Sequence, residues 1–199
     1  MRAFLGGTTS GGPLRVGYIG DAQAAYAGAP FVAAERRAIE VLGHELVDIT
    51  VRDLTASEFA ETLSGVDAVY VAGGSTFALL EALKVTGGDI VLAERVREGL
   101  PYIGCSAGSI IVGPDITPAS LMDDPADGPA LTDFAGLGLI DRTVIPHADG
   151  LLAPYPPSLI DETIARYGSS HRLLPLHDDQ ALLVDGEQEA VIDSAPAAA

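Results

Sequence analysis

Short runs of apolar, often β-branched residues recur along the chain, separated by longer stretches in which apolar residues return every three or four positions. Buried parallel strands read as near-continuous hydrophobic runs, whereas the helices that cover them show a single apolar stripe. The pattern predicts strands over 3–5, 15–19, 45–50, 68–71, 102–104, 142–145 and 173–176, and a closing hairpin formed by 181–184 and 190–192. It predicts helices over 31–42, 76–84 and 90–98. In the first of these, Phe31, Ala34, Ala38, Val41 and Leu42 fall at helical spacing and Gly43 supplies a stop. The stretches 113–136 and 148–157 are rich in Pro, Gly and Asp and read as long connections, which in a small domain tend to be functional or mobile. Strands alternating with helices predict an α/β fold: a three-layer, doubly wound, mostly parallel sheet with a C-terminal hairpin. One domain is expected over 1–194, followed by an Ala/Pro tail at 195–199.

Charge and length narrow the function classes. Eleven Lys+Arg against 28 Asp+Glu give a net charge of −17 over 199 residues, which opposes binding to phosphate backbones or anionic membrane surfaces. No apolar run approaches the roughly 18 to 20 residues needed to cross a bilayer. The single cysteine, Cys105, excludes an intramolecular disulfide, and the opening MRAFLGG lacks the pattern of a secretion signal, so a cytoplasmic location is expected. No nucleic-acid or membrane partner and no metal or organic cofactor is expected; homodimerisation is left open.

The chemistry concentrates at Tyr102-Ile103-Gly104-Cys105-Ser106-Ala107-Gly108-Ser109, where an apolar strand runs into G-x-S-x-G. A sharp strand-to-helix turn of this kind needs small residues on both sides of a nucleophile, and it lifts the serine oxygen clear of the sheet. It also aims the Ala107 amide at the space before Ser106, where a developing oxyanion would form. Cys105 occupies an x position and is not the nucleophile in this frame. A second turn, Gly73-Gly74-Ser75-Thr76, follows the strand at 68–71 and opens a helix. Gly74 could present a second oxyanion donor, with Gly73 and Ser75 against the substrate; otherwise Ser75 or Thr76 simply caps the helix.

Ser106 needs a base, and four histidines compete. His44, His171 and His177 fall at turns or strand ends, whereas His147 follows Val144-Ile145-Pro146 at the C-terminal end of a predicted strand, the edge where Ser106 must also lie. The acid that orients it is sought in the loop between the two. Asp123 and Asp124 are adjacent, so at most one can reach the imidazole, and Pro125 restricts the backbone of Asp124, which is the preferred candidate. Asp115, Asp127 and Asp178 follow in order. Asp178, beside Asp179 near a strand end, is otherwise read as a substrate contact.

Together the glycine turn VAGGSTFALLEAL, the elbow PYIGCSAGSIIVGPDI, the segment MDDP, the stretch DFAGLGLIDRTVIPH and the closing LHDDQALLVDG resemble the peptidase E family of serine peptidases, which includes aspartyl dipeptidases and cyanophycinases. The resemblance implies the fold of class I glutamine amidotransferases, with Ser106 as nucleophile, His147 as base, and Gly74 and Ala107 as the oxyanion hole. It places the orienting acid between Ser and His, at Asp124 or Asp123; Asp124 lies 18 residues past Ser106, a spacing similar to that of cyanophycinases. The implied activity is exopeptidase cleavage of dipeptides or short peptides through an acyl-enzyme, with a peptide as the partner. Ser75 stands where the family often has Asn, and Ser109 where it has Ala. The resemblance leaves N-terminal Asp substrates as one option, but the Arg with which aspartyl dipeptidases grip an acidic side chain after the catalytic His has no counterpart in 148–162, which contains no Arg or Lys. Competing with this are a cyanophycinase-like peptidase and a non-catalytic binding or regulatory module on the same fold.

Overall fold

The computed structural model describes residues 12–194; the strand expected at 3–5 and the tail lie outside them. Four strands form a parallel sheet: β1 (Arg15–Ile19), β2 (Glu45–Ile49), β3 (Ala68–Val71) and β4 (Tyr102–Gly104), in the order β2-β1-β3-β4. Alternate residues of the two inner strands point to opposite faces and fill separate cores. Ile19, Val69 and Val71 join the larger one, while Val16, Tyr18, Ala68 and Tyr70 join the smaller. The larger core is closed by α2 (Ala56–Ser64), α3 (Thr76–Thr86) and α4 (Gly88–Arg97), which contribute Phe59, Leu63, Phe77, Leu79, Leu80, Leu83 and Leu92. The smaller is closed by α1 (Pro30–Glu40) through Ile39. Helices on both faces of a parallel sheet give the three layers that the alternating pattern requires.

The central helix α3 is apolar over most of its circumference and buried from Thr76 to Leu83 except at Ala78. Its one buried carboxylate, Glu81, is offset by the Arg52 guanidinium at 2.9 Å and by the Ala130 amide at 2.6 Å. After β4 comes one turn of helix, α5 (Ala107–Ile110). The chain then crosses to a second, separate pair of parallel strands, β5 (Thr143–Ile145) and β6 (Leu173–Pro175), joined by α6 (Pro157–Tyr167). Strands β7 (Gln180–Asp185) and β8 (Gln188–Asp193) make the antiparallel hairpin, turning at Gly186. Every residue of β8 is exposed. No helix among the described residues is long and apolar enough to cross a membrane.

Two helices depart from the expected pattern. α2 and α6 each bury only two side chains, Phe59 and Leu63 in the one, Ile160 and Thr163 in the other. Their buried pairs still fall at helical spacing, i to i+4 in α2 and i to i+3 in α6, and α1, which the pattern does predict, buries only Ile39, so thinness of the stripe is not what separates them. The long connection 113–136 is not extended chain: it contains short 3-10 turns at Thr117–Leu121 and Pro125–Asp127, and an Asp115 to Ala135 bridge closes it.

Candidate active site

β4 ends at Gly104 and α5 starts at Ala107, so the chain turns within Cys105 and Ser106. The turn is sterically closed on both sides. A Cβ on Gly104 would lie 2.4 Å from the Gly108 carbonyl oxygen, and one on Gly108 would lie 2.2 Å from that of Val71. Ser106 itself adopts φ 47°, ψ −109°, a conformation that costs an L residue on the order of 1–3 kcal/mol. Ala107 opens the helix, so its N–H is among the donors that a helix leaves without an intrahelical acceptor. Cys105 faces the smaller core beside Ile103. Burial pushes its thiol up to about 12, so it carries no thiolate at neutral pH.

The second half of the site comes from β5 and β6, which run parallel with Ile145 opposite Pro175. His147 lies two residues past the first strand and Asp178 three past the second, so both emerge at one edge, held together by the Ala148 N–H to the Leu176 carbonyl at 2.9 Å. His147 Nε2 is 3.0 Å from Ser106 Oγ, and its Nδ1 is 2.5 Å from Asp178 Oδ1. Like Ser106, His147 has a positive φ, 59°; among the described residues these two are the only non-glycine residues that do. The Asp178 amide donates to Asp149 Oδ2 at 3.1 Å, which holds the Asp149 carboxyl below its usual range.

Tyr155 lies flat on the His147 imidazole, with ring centroids 5.1 Å apart and planes within 8°. Its hydroxyl donates to Asp123 Oδ1 at 3.2 Å, while Asp123 Oδ2 accepts from the Thr76 amide at 2.9 Å and the Thr76 hydroxyl at 2.5 Å. Desolvation raises the Asp123 carboxyl above its ordinary value against the pull of these bonds. The glycine turn completes the enclosure. Gly74 has φ 136°, and a Cβ there would sit 2.2 Å from the Ala22 carbonyl oxygen; one on Gly73 would lie 3.2 Å from Ser106 Cβ.

A nucleophile elbow and a glycine turn at the ends of β4 and β3 thus meet a histidine and a carboxylate at the ends of β5 and β6. Over residues 2–192 the sequence matches the family model described as Peptidase family S51. The chain belongs to peptidase family S51. Among similar proteins, an uncharacterised peptidase of Listeria innocua is 35% identical over 158 residues, 79% of this chain and 74% of its own. A peptidase E of Streptomyces coelicolor is 41% identical over 85 residues, 43% of this chain and 33% of its own. A solved structure of a candidate peptidase E protein from Listeria monocytogenes EGD-e superposes with a TM-score of 0.86 at 26% identity, covering 97% of this chain and 93% of that one.

Within this S51 chain the structure brings Ser106, His147, Ala107, Gly73 and Gly74 together as expected from the sequence, and it rearranges the acids. The carboxylate against the imidazole is that of Asp178, in place of Asp124 or Asp123. Asp124 turns instead to its own chain, accepting the Ala126 amide at 2.9 Å as the cap of the 3-10 turn that Pro125 begins. Asp123 is spent on Thr76 and Tyr155. Asp178, expected against the substrate, is thus bonded to His147. Ser75 is also no substrate contact: it is 1% exposed and its hydroxyl caps α3 through the Ala78 amide at 3.3 Å. Two participants carry no signal along the sequence, Tyr155 and Glu35, whose Oε1 accepts the Gly73 amide at 3.1 Å. The pairing of β5 with β6 would have found Asp178, since adjacent parallel strands deliver their following residues to one edge.

Proposed function

We propose that the protein is a serine exopeptidase that cleaves dipeptides or short peptides through an acyl-enzyme on Ser106. The observation that carries this is the unbroken line of hydrogen bonds from Ser106 Oγ through the His147 imidazole to Asp178. Ser106 Oγ attacks the scissile carbonyl carbon as His147 Nε2 takes the hydroxyl proton. The C–N bond then breaks, and the same nitrogen returns the proton to the leaving amine. Asp178 accepts the Nδ1 hydrogen, fixing the tautomer that leaves Nε2 basic, and stabilises the imidazolium that forms. The amides of Gly74 and Ala107 stabilise the oxyanion. A water activated by His147 then releases the acyl group. No Arg or Lys stands in 148–162, and the carboxylates of Asp178 and Asp149 lie together beside His147, which supports a preference for peptides with neutral or basic residues over N-terminal Asp.

A fluorophosphonate probe tests the reading. Stoichiometric labelling of Ser106, together with near-complete loss of turnover in Ser106→Ala and His147→Ala and no further loss in the double variant, is expected of groups that act as one unit. Labelling no faster than that of free serine, or more than a few per cent of turnover in Ser106→Ala, overturns it. Turnover across a dipeptide library reads the specificity, and a ranking led by Asp-Xaa substrates would reverse that part.

A further inference from the structure

The Gly73–Gly74–Ser75 turn has no backbone hydrogen-bond ladder of its own, yet the reading above asks its central N–H to hold a fixed direction. Under the turn lies a polar cluster on the α1 side of the sheet. Glu35, on α1, accepts at Oε1 from the Gly73 amide at 3.1 Å and from the Tyr70 hydroxyl at 2.7 Å. Its Oε2 accepts from Gln23 Nε2 at 2.5 Å, and Gln23 Oε1 accepts from the Tyr18 hydroxyl at 2.9 Å. Tyr18 and Tyr70 are stacked, with centroids 5.6 Å apart and planes within 7°, and the Arg36 guanidinium lies 4.7 Å above the Tyr18 ring. The carboxylate is therefore met by three donors on a rigid support. Gln23 belongs to the same 3-10 helix, Asp21–Tyr26, as Ala22, whose carbonyl accepts the Ser75 amide at 2.9 Å.

The consequence is a bracket. The peptide unit before the one bearing the Gly74 N–H is fixed by Glu35, and the unit after it is fixed by Ala22; the Gln23 to Glu35 bond ties the two anchors together. We propose that Glu35 is a positioning residue for catalysis: through the Gly73 amide it sets the direction of the Gly74 N–H, and so the strength of the oxyanion hole, without touching substrate. A charge-assisted bond suits the task, being shorter and stronger than a neutral one. Preorganised donors are worth most where charge develops in the transition state.

The inference rests on the serine-peptidase reading, so the test separates the two. The variants are Glu35→Ala and Glu35→Gln. The readouts are kcat and KM on a cleaved dipeptide, the rate of fluorophosphonate labelling, and the affinity for a peptide boronate, whose tetrahedral adduct on Ser106 needs the oxyanion hole. Loss of one oxyanion donor lowers kcat by about 10²–10³; a donor set loose rather than removed gives a smaller effect. Glu35→Ala should lower kcat by roughly 10 to 10² with KM within about threefold, and boronate affinity should fall in parallel with kcat/KM. Glu35→Gln keeps an acceptor for Gly73 but sets its amide NH₂ against that of Gln23, so it should lie between Glu35→Ala and the wild type. Should Glu35→Ala not fold, the isosteric Glu35→Gln decides alone, with a loss of at least about threefold expected. Folded variants whose kcat, labelling rate and boronate affinity stay within twofold of wild type overturn the proposal while leaving the peptidase reading intact. A wild type that is not labelled overturns that reading, and the positioning role with it.

Discussion

Asp178 and Asp124 differ in sequence by nothing that marks one as the partner of a histidine, yet their surroundings are unlike. Asp178 touches the His147 ring nitrogen, whereas Asp124 caps a surface turn. Replacing the orienting carboxylate by its amide supports the wrong imidazole tautomer and can lower kcat by about 10⁴. Asp178→Asn should therefore lose on the order of 10³–10⁴ in kcat, while Asp124→Asn should stay within about twofold; steady-state turnover of the two variants on one dipeptide checks the contrast. The elbow itself was legible in the sequence, because the small residues that a strand-to-helix turn demands fall within one short segment: Gly104 is kept small by the Gly108 carbonyl, and Gly108 by Val71 of the adjacent strand. The acid was not. Asp123 and Asp124 sit closer to Ser106 along the chain, but what brings a carboxylate to His147 is the pairing of β5 with β6, a contact between segments about 30 residues apart. Glu35 and Tyr155 were hidden for the same reason, since a side chain that serves a distant turn leaves no local pattern.

Elements, unlike acids, were read well where burial was deep. β1 and β3 are buried along nearly their whole length and α3 over most of its circumference, so their apolar runs are long and unambiguous. Of the two helices that the sequence pattern does not predict, α2 has a side-chain cap at its N-terminus and α6 has none. α2 opens with a capping box in which the Glu58 amide donates to the Thr55 hydroxyl at 3.3 Å and Glu58 Oε2 accepts the Thr55 amide at 2.9 Å. Thr55→Ala should cost about 1 kcal/mol, or roughly 2–4 °C in Tm for a chain of this size, with turnover unchanged since α2 lies away from Ser106. Thermal unfolding beside a turnover assay gives both numbers. The bonds from Thr55 hold the Glu58 carboxyl below its ordinary value. That part of the cap is accordingly present above the unfolded carboxylate pKa and fades as pH falls through the folded one, so the gap between wild type and Thr55→Ala should narrow in acid.

At the scale of the whole molecule, folding stability is one quantity to which every residue contributes, including those that do chemistry. The two non-glycine residues held at positive φ are Ser106 and His147, and nothing in a fold of this class requires a side chain at either place. A glycine at 106 would accept the same backbone angles without strain, trading a cost of order 1–3 kcal/mol against the roughly 0.5–1 kcal/mol of extra chain entropy that glycine loses on folding. Ser106→Gly should thus be inactive and yet melt at the same temperature or a few degrees higher, as differential scanning calorimetry can measure; a clear fall in Tm would mean that the elbow is relaxed. If the rise is found, selection on this protein has kept a less durable molecule because the more durable one does nothing. A lineage freed from the need for peptidase activity would then be expected to drift first at the elbow, losing its serine before its fold.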